Sequence, residues 1–93
     1  MQVIAESSWN WLLLAQDHRR WLIVVCGTVG LYECAVELDP AECAAIAADP
    51  TQIDQLAREL AGSRAAYERR HRRDILDSPA LEEAVRAWRT RPG

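Results

Sequence analysis

The sequence predicts a single α+β domain, in which a three-stranded antiparallel β-meander is followed by three helices. The main observation is a change of hydrophobic period, from about two before residue 39 to about 3.6 after it. A second observation is that proline follows a helix-capping residue three times from residue 39 onward. The 93 residues allow one small core. The predicted domain spans residues 1–93, with 1–7 and 91–93 as loose ends.

The first part of the chain is predicted to form the meander. The middle strand is rich in β-branched and aromatic residues, and the last strand alternates apolar and polar side chains. Gly27-Thr28-Val29-Gly30 is predicted to be a turn, because glycine tolerates the positive φ of tight hairpins. Short polar links between consecutive strands favour antiparallel pairing. The predicted strands are at about 9–15, 21–26 and 31–38.

Three helices are predicted from the capping residues and the apolar stripes. Each begins at a proline, at Asp39-Pro40, Asp49-Pro50 and Ser78-Pro79. The middle helix is predicted to be continuous because one apolar stripe runs through Gly62 without a shift of phase. A break at that glycine remains the alternative. The predicted helices are a short one at about 40–48, a long one at about 50–76 and a last one at about 79–90.

The first two predicted strands are apolar on both faces, so two layers must cover them. One possibility is that the last helix folds back with its apolar stripe, and the other is a partner protein. A 27-residue helix would be about 40 Å long and would overhang its own sheet, which favours a homodimer. The residues predicted to contact the partner are Trp9, Trp11, Trp21, Tyr67, His71 and Trp88.

All 11 basic residues are arginine, and five of them lie within residues 64–73. This stretch supports an alternative function, a nucleic-acid-binding regulator. Two observations argue against this alternative. The arginines are spread over the whole outer side of the predicted helix instead of forming one stripe, and no nucleic-acid-binding motif accompanies them. Residues 1–57 carry a net charge of −6 and residues 58–93 a net charge of +3. The polyanion-binding residues of this alternative are Arg69, Arg70, Arg72 and Arg73.

The sequence indicates neither an enzyme nor a metal site or a cofactor. It contains no glycine-rich phosphate loop and no nucleophile elbow. Cys26, Cys34 and Cys43 lack metal-ligand spacing and are predicted to fill the core. Cys26 and Cys34 could be neighbours across the predicted turn. Whether Cys43, near a helix N-terminus, is a reactive thiol stays open.

The functional prediction is a small non-enzymatic protein-interaction module with a regulatory or immunity-type role. The N-terminus has no basic segment of a secretory signal, and the longest apolar run, 21–32, is shorter than the roughly 20 residues of a membrane span. An odd number of cysteines argues against a disulfide framework. Arginine without lysine is typical of a GC-rich genome. The sequence thus predicts a bacterial, cytoplasmic protein without membrane contact.

Overall fold

A computed structural model describes residues 1–26, 32–62, 65 and 68–92. These residues form a four-stranded antiparallel sheet with four helices, which confirms the α+β class. The strands follow each other in space in chain order, as in a meander. The elements are β1 (Gln2–Ser7), β2 (Trp11–Gln16), β3 (Arg19–Cys26), β4 (Tyr32–Glu37), α1 (Pro40–Ala48), α2 (Gln52–Gly62), α3 (Arg73–Leu76) and α4 (Pro79–Arg89).

The prediction of three strands is wrong, because residues 2–7 are not a loose end but the edge strand β1. β1 pairs with β2, with a register shift between Val3 and Ala5. The first predicted strand was also placed two residues early. Ser8–Asn10 form the turn between β1 and β2, in which the Asn10 amide donates to the Ser7 carbonyl over 2.9 Å. The predicted Gly27–Gly30 turn lies outside the described residues.

The prediction of one helix from 50 to 76 is also wrong. Residues 65 and 68 are helical, but residues 69–72 are not, and α3 begins only at Arg73. His71 instead forms an isolated β-bridge with Val36, and the Arg72 amide donates to the Ala35 carbonyl over 2.8 Å. These contacts occupy the outer edge of β4. The chain leaves the helix there because it must pass around this edge to reach the other face of the sheet.

The helix starts follow from the capping residues. Asp39 forms a complete capping box with Glu42 at the start of α1. Ser78 caps α4 by accepting from the Ala80 amide over 3.2 Å. Asp49 instead forms a local turn with Thr51, so that α2 begins at Gln52, two residues later than predicted.

The sheet lies between two helical layers, and each face has its own core. Side chains of α2 complete one core with residues of β2, β3 and β4. α3 and α4 complete the other core through Ile75, Leu81 and Ala84. Of the two possibilities for the second apolar face, the structure therefore shows the last helix folded back onto it. None of the helices in the described ranges has the length and hydrophobicity that crossing a bilayer requires.

Candidate groove at the open end of the sheet

The face of the sheet under α4 is covered at one end and open at the other. The antiparallel register aligns its side chains in rows across the strands. In the first row Leu14 and Trp21 are fully buried, and in the next row Ile23 is 2% exposed. In the third row Val25 is only half-buried and its neighbour Glu33 is exposed. Coverage by α3 and α4 therefore ends between the second and third rows.

A groove of about 530 Å³ lies at this open end. Its apolar floor is formed by β2 and β3, and the indole of Trp9, with 86% of its surface exposed, stands beside it. Tyr32, 44% exposed, lies at the start of β4 opposite Cys26 and contributes to the lining from the α2 side of the sheet. A second depression of about 560 Å³ continues along α3 and α4 and shares Leu12, Ile23, Glu33 and Arg89 with the first. We call the two depressions together the sheet-end groove. Its lining includes Glu6, Trp9, Leu12, Val25, Tyr32, Glu33 and Arg89.

Trp9 owes its exposure to the turn in which it lies. Its φ is 67°, a left-handed conformation that is uncommon for a bulky side chain. The neighbouring Asn10 holds this turn, because its side chain donates to Ser7 Oγ over 3.0 Å and its carbonyl accepts from the Val25 amide over 2.9 Å. The backbone is thus fixed on both sides of an indole that packs little against the rest of the chain. An exposed tryptophan on a fixed turn is a typical feature of contact surfaces.

The groove carries more negative than positive charge. Its charged lining residues are four acids and one arginine. Arg89, Arg73 and Arg86 pair with three of these acids, so that the excess negative charge is that of one carboxylate, Glu33. At one wall Glu6 accepts from Trp88 Nε1 over 2.8 Å and pairs with Arg89 at 3.8 Å. Glu33 is exposed and takes part in none of the ion pairs between described residues. The acids are Glu6, Glu33, Asp77 and Glu82, and the base is Arg89.

The four tryptophans that were predicted to contact a partner occupy different environments. Trp21 is fully buried under α3 and α4, and Trp11 lies in the α2 core with its indole donating to Asp54 Oδ1 over 2.9 Å. Trp88 is half-buried, with the Arg91 guanidinium 3.6 Å from its ring centre. Trp9 is the one that presents most of its surface to solvent.

The other two predicted contact residues lie away from the groove or outside the described residues. His71 is half-buried against β4, where its Nδ1 accepts from the Ala35 amide over 3.1 Å. An accepting Nδ1 places the imidazole proton on Nε2. This histidine therefore anchors the segment that crosses the sheet edge. Tyr67 lies outside the described residues.

Most of the arginines assigned to polyanion binding are already paired. Arg70 forms a bidentate ion pair with Glu42, in which Nη1 donates to Oε2 over 2.9 Å. It also donates to the Glu37 carbonyl over 2.8 Å. Arg72 pairs with Asp74 at 2.9 Å, and Arg73 with Asp77 at 3.7 Å. Arg69 is exposed. Two ion pairs, Arg70 with Glu42 and Arg89 with Glu6, join the basic and acidic parts of the sequence within one chain.

Two of the three cysteines form a buried pair. Cys26 and Cys34 are buried in the α2 core with their sulfurs 3.3 Å apart, as cross-strand neighbours. Burial, together with the hydrogen bond to Cys26, raises the pKa of the Cys34 thiol to about 12, so that it stays protonated at neutral pH. Cys43 is half-buried beside the same core. Among the described residues no group of three or more potential ligands is placed to hold a metal ion.

Of the seven groove residues named above, only Trp9 was identified from the sequence as a contact residue. The other six were not: Glu6, Leu12, Val25, Tyr32, Glu33 and Arg89. The outward position of Glu33 could be inferred from the alternation of β4, but an outward acid is ordinary. Nothing in the sequence connects Glu6 with Arg89, which lie at opposite ends of the chain. Comparison with known proteins adds no analogy: no family model matches the chain, nor does any curated protein or solved structure.

Proposed function

We propose that this chain is a small non-enzymatic protein-interaction module of the bacterial cytoplasm, and that its partner docks in the sheet-end groove. The observation that carries the proposal is the exposed indole of Trp9, on a hydrogen-bonded turn beside an apolar floor that α4 leaves uncovered. Large aromatic side chains beside a partly desolvated floor are typical energetic anchors of protein interfaces. The bacterial and cytoplasmic parts of the proposal rest on the arginine bias and the cysteine usage of the sequence.

The lining of the groove favours binding over catalysis. General acid–base chemistry needs a titratable group within hydrogen-bond reach of the substrate, with its partner beside it. Glu6 is engaged by Trp88 and Arg89, and the Ser7 hydroxyl accepts from Asn10. The described residues that line the groove include neither histidine nor cysteine. The proposed role is regulation or neutralisation of the partner by occupation of its surface.

A different protein suits this groove better than a second copy of the chain. The homodimer was predicted because the second face of the sheet lacked a cover, and α3 and α4 supply that cover. A two-fold dimer built on the groove would also place against each other two identical surfaces that each carry the unpaired carboxylate of Glu33. The homodimer remains a prediction that the molecular mass in solution tests.

The nucleic-acid alternative has less support from the geometry. A polyanion would have to displace the carboxylates that hold Arg70, Arg72 and Arg73. Arg70 in particular is anchored by Glu42 and by a backbone carbonyl of β4. Its removal from these partners would open the segment that crosses the sheet edge.

Site-specific photo-crosslinking in the native cell tests the proposal. A benzophenone side chain at position 9 should give covalent adducts with one defined protein, whereas the same group at exposed Glu83, outside the groove lining, should not. The identified protein should then bind the purified chain and lose at least about fivefold in affinity with Trp9→Ala, as expected for an aromatic anchor, but not with Glu83→Gln. Equal adducts from both positions, or none from position 9, would contradict the proposal. An adduct of twice the chain mass would establish the homodimer instead.

A further inference from the structure

We propose that the segment bound in the sheet-end groove is cationic, an arginine- or lysine-bearing stretch of the partner with apolar residues between the charges. This inference rests on the proposed function and specifies the chemistry of the partner. It follows from three features of the groove: its charge, its apolar floor and a contact that the chain already makes at one wall.

The charge of the groove determines whether a cationic or an anionic segment of the partner can bind there. Arginines offset three of the four acids of the lining, whereas Glu33 at the open end is exposed and takes part in none of the ion pairs between described residues. An acidic or phosphorylated segment would meet repulsion there, whereas a guanidinium or ammonium group would be attracted. Glu33 lies directly across the ladder from Val25, so that a cation bound to it lies beside apolar surface.

The floor and the aromatic side chains suit the two parts of a long basic side chain. The methylene stem of arginine or lysine can cover Leu12 and Val25, while the charged end remains at the rim. There it can pair with Glu33 and lie over the exposed face of Trp9. Cation–π contacts form most readily with tryptophan. Apolar residues between the basic ones would fill the rest of the floor.

The chain makes the same kind of contact at the wall formed by the end of α4. Glu6 pairs there with Arg89 and accepts from the indole of Trp88, and the Arg91 guanidinium lies over that indole. A carboxylate, an indole and arginines thus occur together. At the open end the groove presents the carboxylate of Glu33 and the indole of Trp9 without the arginine. The partner is inferred to supply it.

Binding of defined peptides by isothermal titration calorimetry tests the inference. The probe is a terminally blocked decapeptide of alternating arginine and leucine, and the comparison peptides carry glutamate or serine in place of arginine. The arginine peptide should bind best, the serine peptide more weakly, and the glutamate peptide not measurably. Trp9→Ala and Glu33→Gln should each weaken binding of the arginine peptide about threefold, as expected for one exposed cation–π contact and one exposed ion pair.

Glu83→Gln is the matched control, because it removes one exposed acid of α4 outside the groove and changes the net charge equally. It should leave the affinity unchanged. The inference is wrong if the glutamate or serine peptide binds as well as the arginine peptide, or if Glu83→Gln weakens binding as much as Glu33→Gln. It is also wrong if the protein crosslinked from position 9 is bound through a segment without arginine or lysine, a result that would leave the proposed function intact.

Discussion

The two faces of the sheet are covered by helices of equal length but to different extents. α2 and α4 each have eleven residues. On the α2 face, burial continues along β3 as far as Cys26, which is 1% exposed. On the α4 face, burial ends at Ile23, and Val25 is left half-buried. The difference lies in placement, since α2 packs on the central strand β3, whereas α4 packs on the edge strand β1 and α3 on β4.

An open groove can thus arise on a sheet without special local sequence. The open floor consists of ordinary strand residues, Val25 in the third row and the half-buried Leu12 at the margin of the second. They become available only because the nearest helices lie toward the two edges of the sheet. The exposed Trp9 stands beside this opening, whereas Trp11, two residues later, closes the other face through its hydrogen bond to Asp54 in α2.

The largest expected effect is at Trp21, in the covered part of the α4 face. Trp21→Ala should lower the free energy of unfolding by about 3–5 kcal/mol, because it leaves a cavity under α3 and α4. Trp9→Ala, the same substitution at the open end, should change it by less than about 0.5 kcal/mol. Urea unfolding followed by circular dichroism measures both. Similar losses of unfolding free energy for the two variants would contradict the description of one end of the α4 face as covered and the other as open.

An intermediate effect is expected where an indole ties a helix to the sheet on each face. Glu6→Ala removes the acceptor of Trp88 and should cost about 1.5 kcal/mol, because the half-buried indole N–H loses a charged partner. Asp54→Ala removes the acceptor of Trp11 and should cost less, about 1 kcal/mol, since Asp54 is more exposed than Glu6. Denaturant titration of both variants gives the comparison. A larger loss for Asp54→Ala would contradict this order.

A modest, pH-dependent stability effect is expected at the ion pair of Glu42 and Arg70, which joins α1 to the segment that crosses the sheet edge. The hydrogen bond from Arg70 lowers the pKa of Glu42 below its ordinary value of 4.5. A lowered folded-state pKa contributes stability that is present above the unfolded-state value and is lost as the pH falls through the folded-state value.

Glu42→Gln should therefore cost about 1 kcal/mol at pH 7, a modest value because the pair is partly exposed. Glutamine can retain the capping bond to Asp39, which isolates the charge effect. The difference from the unsubstituted protein should diminish below pH 4.5 and vanish near the acid limit, as melting temperatures across pH would show. Glu82→Gln, in an exposed pair with Arg86, is the control and should show almost no change. A difference that is independent of pH would contradict the assignment.

Local patterns in the sequence were sufficient to predict β3, β4 and the starts of α1 and α4. The alternation of β4 and the capping residues Asp39 and Ser78 act within a few residues, and the structure confirms them. β1 was missed because its pairing with β2 is a tertiary contact, and a bulge near Val3 interrupts its alternation. The long helix was predicted wrongly because the apolar stripe cannot show that the chain must change faces at His71.

The candidate site was predictable only in part. Trp9 was identified as a contact residue, but the same argument also selected Trp21, which α3 and α4 bury. Both faces of the first strands are apolar, and only the position of α4 decides which rows remain uncovered. The ion pair between Glu6 and Arg89 depends on that same position. The charge of the groove is therefore a property of the assembled fold.

Reversal of one charge at the open end tests the central claim most directly. The measured quantity is the ratio of affinities for the arginine–leucine and the glutamate–leucine decapeptides. Glu33→Arg should reduce this ratio by at least about tenfold, because an attraction to cations becomes a repulsion. Glu83→Arg changes the net charge by the same amount outside the groove and should leave the ratio almost unchanged. An equal fall in both variants, or no fall with Glu33→Arg, would contradict a cationic partner in the sheet-end groove.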